Sequence, residues 1–168
     1  YIPSPKLSKG WLYQTLDKWM LKRADNIVYV NEVDRQRYAN GNNRATTIAN
    51  GIEINDTSTT SPEHNFKMVF IGRLSHEKGV DLIPNAIKDI LGTYPNITLD
   101  IYGLGPLLDS LQLEIKKLEL QHTIHLKGYV DNAEDIIEDY DLVLMPSFTE
   151  GLPIVALEAM NSLRPVLC

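Results

Sequence analysis

Two stretches hold most of the residues that could do chemistry. In Gly72-Arg73-Leu74-Ser75-His76-Glu77-Lys78-Gly79, two cations lie between two glycines. Glycine lets a backbone bend and come close to a ligand. An arginine and a lysine beside a helix start suit a phosphate or diphosphate. The stretch is not a Walker loop, because six residues separate its glycines and no Lys-Ser/Thr pair follows. His76 is the one histidine placed to touch such a ligand. A solvated loop with surface charges is the competing reading. In Pro146-Ser147-Phe148-Thr149-Glu150-Gly151-Leu152-Pro153, followed by a helical run with Glu158, small hydroxyls such as Ser147, a glycine and a carboxylate gather at a helix N-terminus. Carboxylates accept hydrogen bonds from sugar hydroxyls. Glu150 and Glu158, spaced E-x7-E, could therefore hold a sugar. They could as well be a partner of the helix dipole and a surface residue.

The third segment is Gly103-Leu104-Gly105-Pro106. It fits close approach to a ligand or a plain tight turn. A dinucleotide fingerprint would need a third glycine where Leu108 stands, and no acidic residue ends the next strand. Asp139-Tyr140-Asp141 runs into a buried-type strand at the sheet end away from ligands, so this D-x-D reads as structural. No Cys/His cluster has metal-ligand spacing.

Alternating elements must position these loops. The chain has 168 residues, is 43% hydrophobic and 23% charged, and carries a net charge of -6. That supports a folded core and argues against general nucleic-acid binding, which needs surplus cations. The single cysteine, Cys168, excludes an intramolecular disulfide and fits a reducing compartment. No run of about 18 apolar residues is present, and Tyr1-Ile2-Pro3-Ser4-Pro5 has no signal-peptide character. The absence of an initial Met and the strand-like end Pro165-Val166-Leu167-Cys168 read as a fragment of a longer protein.

Apolar spacing predicts a basic helix over 6–23, with Trp11 and Trp19 read as core residues and a membrane surface as their alternative partner. A strand at 27–30, a helix capped by Asn31, a turn at Gly41-Asn42-Asn43 and a strand at 46–49 follow. Residues 55–65 read as a polar linker. Beyond it come strands at 66–71, 97–102, 123–126, 141–145 and from 166. Helices near 82–91, 108–118, 133–140 and 154–163 alternate with them, with Pro84 confined to a first turn. This pattern predicts an α/β fold with a doubly wound, Rossmann-like parallel sheet and ligands at its carboxyl edge.

Read together and in order, the loops resemble the retaining glycosyltransferases of family four, also described as glycosyl transferases group 1, with the GT-B fold. "ADNIVYVNE" resembles the last strand of that family's first domain. "IANGIEIN" resembles its Asn-Gly-Ile-Asp interdomain segment, with Glu53 in place of Asp. "FIGRLSHEKGVDLI", "DIYGLGPLLDSL", "HLKGYV" and "DLVLMPSFTEGLPIVALEAM" are similar to the phosphate, glycine-turn, base and sugar regions. The resemblance implies that residues 1–50 are the tail of an acceptor-side domain, 51–65 a linker, and 66–168 a donor-binding domain truncated at its C-terminus.

It also implies roles. Arg73 and Lys78 would neutralise a donor diphosphate. Glu150 would contact the transferred sugar and Glu158 the ribose. Gly151, Leu152 and Pro153 would present backbone amides, with Ser147 beside them. Tyr129 and Val130 would lie beside the base, and Gly72, Gly103 and Gly105 would keep the cleft floor open. Glu150 is not read as a covalent nucleophile. No cofactor and no obligatory metal are implied. The partners would be a nucleotide sugar and a glycan or lipid-linked acceptor bound through the absent domain, in cell-envelope polysaccharide synthesis. The place would be the cytoplasm, with the basic helix offering a peripheral contact to the inner membrane face. A nucleotide-sugar 2-epimerase, a noncatalytic nucleotide-binding module and a dinucleotide oxidoreductase are the rival readings.

Overall fold

The structure, a computed structural model, describes residues 8–39, 44–52, 54 and 65–168. The predicted turn at 41–43 and nearly all of the predicted linker, with Glu53, lie outside the described residues. The chain divides into two compact units, residues 1–50 and 51–168.

In the first unit, α1 (Lys9–Leu21) starts at Ser8, whose hydroxyl accepts the Trp11 N–H. β1 (Ile27–Tyr29) and β2 (Ala45–Thr47) pair in parallel, with α2 (Glu32–Tyr38) between them in sequence. Asn31 caps α2 by accepting the Asp34 N–H at 2.7 Å. The Thr47 hydroxyl donates to Glu32 at 2.7 Å and ties α2 to β2. Hydrogen bonds from Arg35 and then Thr47 hold the Glu32 carboxyl down at about 2.

The expected burial of the two tryptophans is corrected here. Trp11 is partly exposed, and Trp19 is 51% exposed with the Arg23 guanidinium 3.8 Å above its ring. A two-stranded sheet offers too little surface to cover a helix of this length.

The second unit holds the core. β3 (Phe66–Ile71) is the central strand of a five-stranded sheet, joined by β4 (Ile97–Tyr102), β5 (Ile124–Gly128), β6 (Leu142–Leu144) and β7 (Val166–Leu167). The order is β5-β4-β3-β6-β7, and every pair is parallel. Between the strands run α3 (Ile83–Leu91), α4 (Leu108–Lys117), α5 (Glu134–Ile137) and α6 (Ile154–Asn161). Side chains alternate across a strand. Met68 and Phe70 of β3 and Leu99 and Ile101 of β4 therefore pack with Ile83 and Ile87 of α3 and Leu111 and Ile115 of α4. Val69 and Val143 point the other way, into a cluster with Ile137 and Ala159. The sheet is doubly wound, as the alternation of elements predicts. Pro84 sits in the first turn of α3, where its missing N–H costs nothing.

Parallel strands are normally apolar on both faces. β4 departs from this on its second face. The Tyr140 hydroxyl donates to Asp100 at 2.8 Å, His125 Nδ1 lies 2.8 Å from the same carboxylate, and Lys127 Nζ lies 3.3 Å away. Burial pushes the Asp100 carboxyl up. The hydrogen bonds from Tyr140, His125 and Lys127, with the Lys127 charge, outweigh it and hold the carboxyl below its usual range. Asp141 accepts the Lys67 N–H at 2.8 Å, at the amino end of β6. Tyr140 and Asp141 of the D-x-D thus have structural bonds.

Candidate functional site

The carboxyl ends of β3 and β4 stop at Gly72 and Gly103. There the backbones of two loops come close together. Gly72 N–H donates to the Tyr102 carbonyl at 3.0 Å, and Gly103 N–H to that of Gly128 at 2.7 Å. Gly103 has φ 142°, and a Cβ on it would stand 1.8 Å from the Gly72 carbonyl oxygen. A Cβ on Gly105 would stand 2.3 Å from the Leu74 carbonyl oxygen. The Leu74 N–H and carbonyl bond Leu104 and Leu107, each at 3.0 Å. Both glycines are therefore needed for loop-to-loop packing. Gly103 also lines a cavity of about 400 Å³, with Gly72, Arg73, Leu104, Tyr129 and Val130. Gly105 is not part of that lining.

The cavity is largely apolar, with Tyr129 at its rim and 68% exposed. Arg73 is exposed, and its guanidinium has no partner among the described residues. An apolar cavity beside an exposed cation suits an aromatic base joined to phosphate.

The phosphate loop expected at the start of α3 is built from two 3₁₀ turns, His76–Lys78 and Val80–Leu82, broken by Gly79 at φ 64°. A Cβ on Gly79 would meet the Pro146 carbonyl oxygen at 2.0 Å. The Phe148 N–H donates to the Glu77 carbonyl at 3.0 Å. These contacts clasp the loop after β3 to the loop after β6. Across the clasp, Lys78 Nζ lies 2.6 Å from Glu150 Oε1. His76 turns to Asp81 at 3.0 Å instead, with its side chain 78% exposed.

Glu158 lies on α6, and its Oε2 is buried without a hydrogen-bond partner among the described residues. Burial first, and the Glu134 charge second, push its carboxyl above the ordinary range. Asn161, one turn further along, donates to Glu134 at 3.0 Å. The Ser147 hydroxyl is likewise buried without a partner. Among the described residues, no group of three or more His, Cys, Asp or Glu could hold a metal ion.

The sequence profile of the family described as Glycosyl transferases group 1 matches residues 51–168. The chain belongs to this family. A GtfA subunit named UDP-N-acetylglucosamine–peptide N-acetylglucosaminyltransferase, from Streptococcus gordonii, is 32% identical over 132 residues, covering 79% of this chain and 26% of the relative. The O-antigen biosynthesis glycosyltransferase WbnH of Escherichia coli is 37% identical over 102 residues, covering 61% of this chain and 28% of the relative. Among solved structures, a variant of S. aureus TarM in complex with fondaparinux, α-GlcNAc-glycerol and UDP aligns with a TM-score of 0.80 at 24% identity. It covers 96% of this chain and 34% of TarM. The fold is one shared with part of GT-B glycosyltransferases, and the chain spans only a fraction of its group 1 relatives.

Two further findings bear on the expected site. Proline carries no amide hydrogen, so Pro153 cannot present one. It caps α6 in an extended conformation. Gly151 and Leu152, just before it, do carry amide hydrogens. Ser75, between the two cations, is 5% exposed, and its hydroxyl has no hydrogen-bond partner among the described residues.

The raised Glu158 carboxyl gives a prediction with a defined sign. A carboxyl that binds its proton more tightly when folded loses stability as pH rises from the ordinary glutamate range through its raised value. Glu158→Gln is therefore expected to melt slightly above the wild-type chain at pH 7, with the difference closing below about pH 4. Thermal unfolding at several pH values checks this. A lower melting temperature at pH 7 would contradict it.

Proposed function

We propose that this chain is the nucleotide-sugar-binding part of a glycosyltransferase. The enzyme moves a sugar from a nucleoside diphosphate to an acceptor and retains the anomeric configuration. The observation that carries the reading is the layout at one sheet edge. An apolar slot with Tyr129 meets the unpaired Arg73, and Lys78 and Glu150 lie in clasped loops at the same edge. Base, diphosphate and sugar would occupy that order.

Breaking the anomeric bond leaves a nucleoside diphosphate with growing negative charge. Arg73, Lys78 and backbone amides near the start of α6 stabilise that charge where it develops. In this reading the two cations and the amides carry that charge, and no obligatory metal is called for. Glu150 would orient the sugar through its hydroxyls. The buried, unpartnered oxygen of Glu158 would accept from the ribose.

The acceptor would be a glycan or a lipid-linked glycan of the cell envelope, bound through a further domain. The name of WbnH and the ligands of TarM support this choice. Among the described residues no helix is long and apolar enough to cross a membrane. The proposal places the enzyme in the cytoplasm. The exposed Leu12, Leu16 and Trp19 of α1, with Lys18 and Arg23 nearby, support peripheral membrane contact.

The test is a binding panel of UDP-, GDP- and ADP-sugars on the wild-type chain and on the Arg73→Ala and Glu158→Ala variants. One base should be preferred, and both variants should bind it less well. Equal binding in all three proteins would refute the site.

A further inference from the structure

Lys78 and Glu150 are 72 residues apart in the chain, yet their charged groups meet at 2.6 Å. Both side chains are largely withdrawn from water, at 29% and 21% exposure. The clasp between Phe148 and Glu77, and the seat of Gly79 against Pro146, hold the two loops at this distance. In the donor-site reading, on which this inference rests, each residue has a different ligand group to serve. Lys78 faces the diphosphate and Glu150 the sugar. The pair therefore has to open when a donor arrives.

We infer that Glu150 is an internal stand-in for the diphosphate, so that a free nucleoside diphosphate competes with Glu150 for Lys78 while a nucleotide sugar satisfies both residues. The reasoning is one of partners gained and lost. A nucleoside diphosphate alone draws Lys78 away and leaves a half-buried carboxylate unpaired beside new negative charge. Unpairing a withdrawn ion is costly, and like charges at this range repel. A donor brings the same phosphates but also sugar hydroxyls, which are good donors to a carboxylate. Glu150 then trades one partner for another. The pair thus favours the donor over the product left after transfer, and it helps expel that product. Glu150 becomes a specificity-determining residue as well as a sugar contact.

Calorimetric titration of the 168-residue chain with UDP, UDP-glucose and UDP-N-acetylglucosamine tests this, with GDP or ADP and their sugars if the panel prefers those bases. Glu150→Gln keeps the shape and removes the charge. It is expected to bind the free diphosphate roughly 3- to 10-fold more tightly and the nucleotide sugar more weakly, so the preference for donor over product collapses. Glu150→Asp keeps the anion and should keep the wild-type order of preference. Unchanged or weaker diphosphate binding by Glu150→Gln, with Arg73→Ala still losing diphosphate affinity, would overturn the stand-in role and leave the donor site intact. If neither Arg73→Ala nor Lys78→Gln alters diphosphate affinity, the donor site itself falls, and this inference with it.

Discussion

Gly103→Ala is expected to lower the melting temperature of the chain by roughly 10 °C, the largest stability effect of any single methyl group at the site. At φ 142° an L-residue is strained by about 1–3 kcal/mol. The added Cβ would also stand 1.8 Å from the Gly72 carbonyl oxygen. That neighbour is backbone and cannot swing aside. Relieving such an overlap shifts main chain, at about 1–3 kcal/mol more. The combined loss is about 2–6 kcal/mol, and each kcal/mol moves the midpoint of a domain this size by about 2–4 °C. The damage spreads because Gly103 N–H holds the Gly128 carbonyl and Gly72 N–H holds that of Tyr102. Three strand ends would shift together, so nucleotide binding should fail in the same variant. Gly92→Ala is the matched control. Its φ is -64° and a Cβ there meets nothing within 4 Å. It should unfold within about 0.5 kcal/mol of the wild type. Thermal unfolding followed by circular dichroism decides the matter. A Gly103→Ala chain that melts within a degree or two of wild type would contradict this account of the turn.

Removing the Arg73 guanidinium is expected to act on binding alone. The side chain is exposed and has no partner among the described residues, so the fold loses little. A diphosphate would lose charge-assisted, forked hydrogen bonds worth about 2–3 kcal/mol, or roughly 30- to 150-fold in affinity. Arg73→Lys should recover part of this, because the charge returns without the planar fork. The deficit should shrink as salt rises, since an exposed cation is screened. Calorimetry at two ionic strengths measures both effects. An Arg73→Ala chain within threefold of wild type for its preferred nucleotide would remove Arg73 from the diphosphate site.

Much of the fold was open to a reading of residues in line. The runs 66–71 and 97–102 match β3 and β4 residue for residue, because β-prone apolar runs there are closed by glycine. Pro84 was placed in a first turn for lack of an N–H, and Asn31 at a cap for its short polar side chain. The boundaries of β2 and α5 shifted by one to three residues, since nothing marks them as firmly. The cations of the 72–79 loop and the E-x7-E carboxylates were visible as residue types at fixed spacing. Their chemistry could be named before their positions were known.

Other facts depend on distance through space. Residue types gave Gly103 and Gly105 two meanings. The approach of the two loops shows that both are needed for packing and that only Gly103 also faces the cavity. Trp19 has core chemistry but little to pack on within its unit. Asp100 is a charged centre only because β5 brings His125 and Lys127 alongside. Lys78 and Glu150 show the division most clearly. By itself the sequence determined that a cation and a carboxylate stand in two loops, the one of a type that suits a phosphate and the other of a type that suits sugar hydroxyls. Only the tertiary structure decided that they hold each other. The reason is physical: β3 and β6 are neighbours through a parallel crossover, and that adjacency is set by the packing of the whole sheet rather than by the residues of either loop.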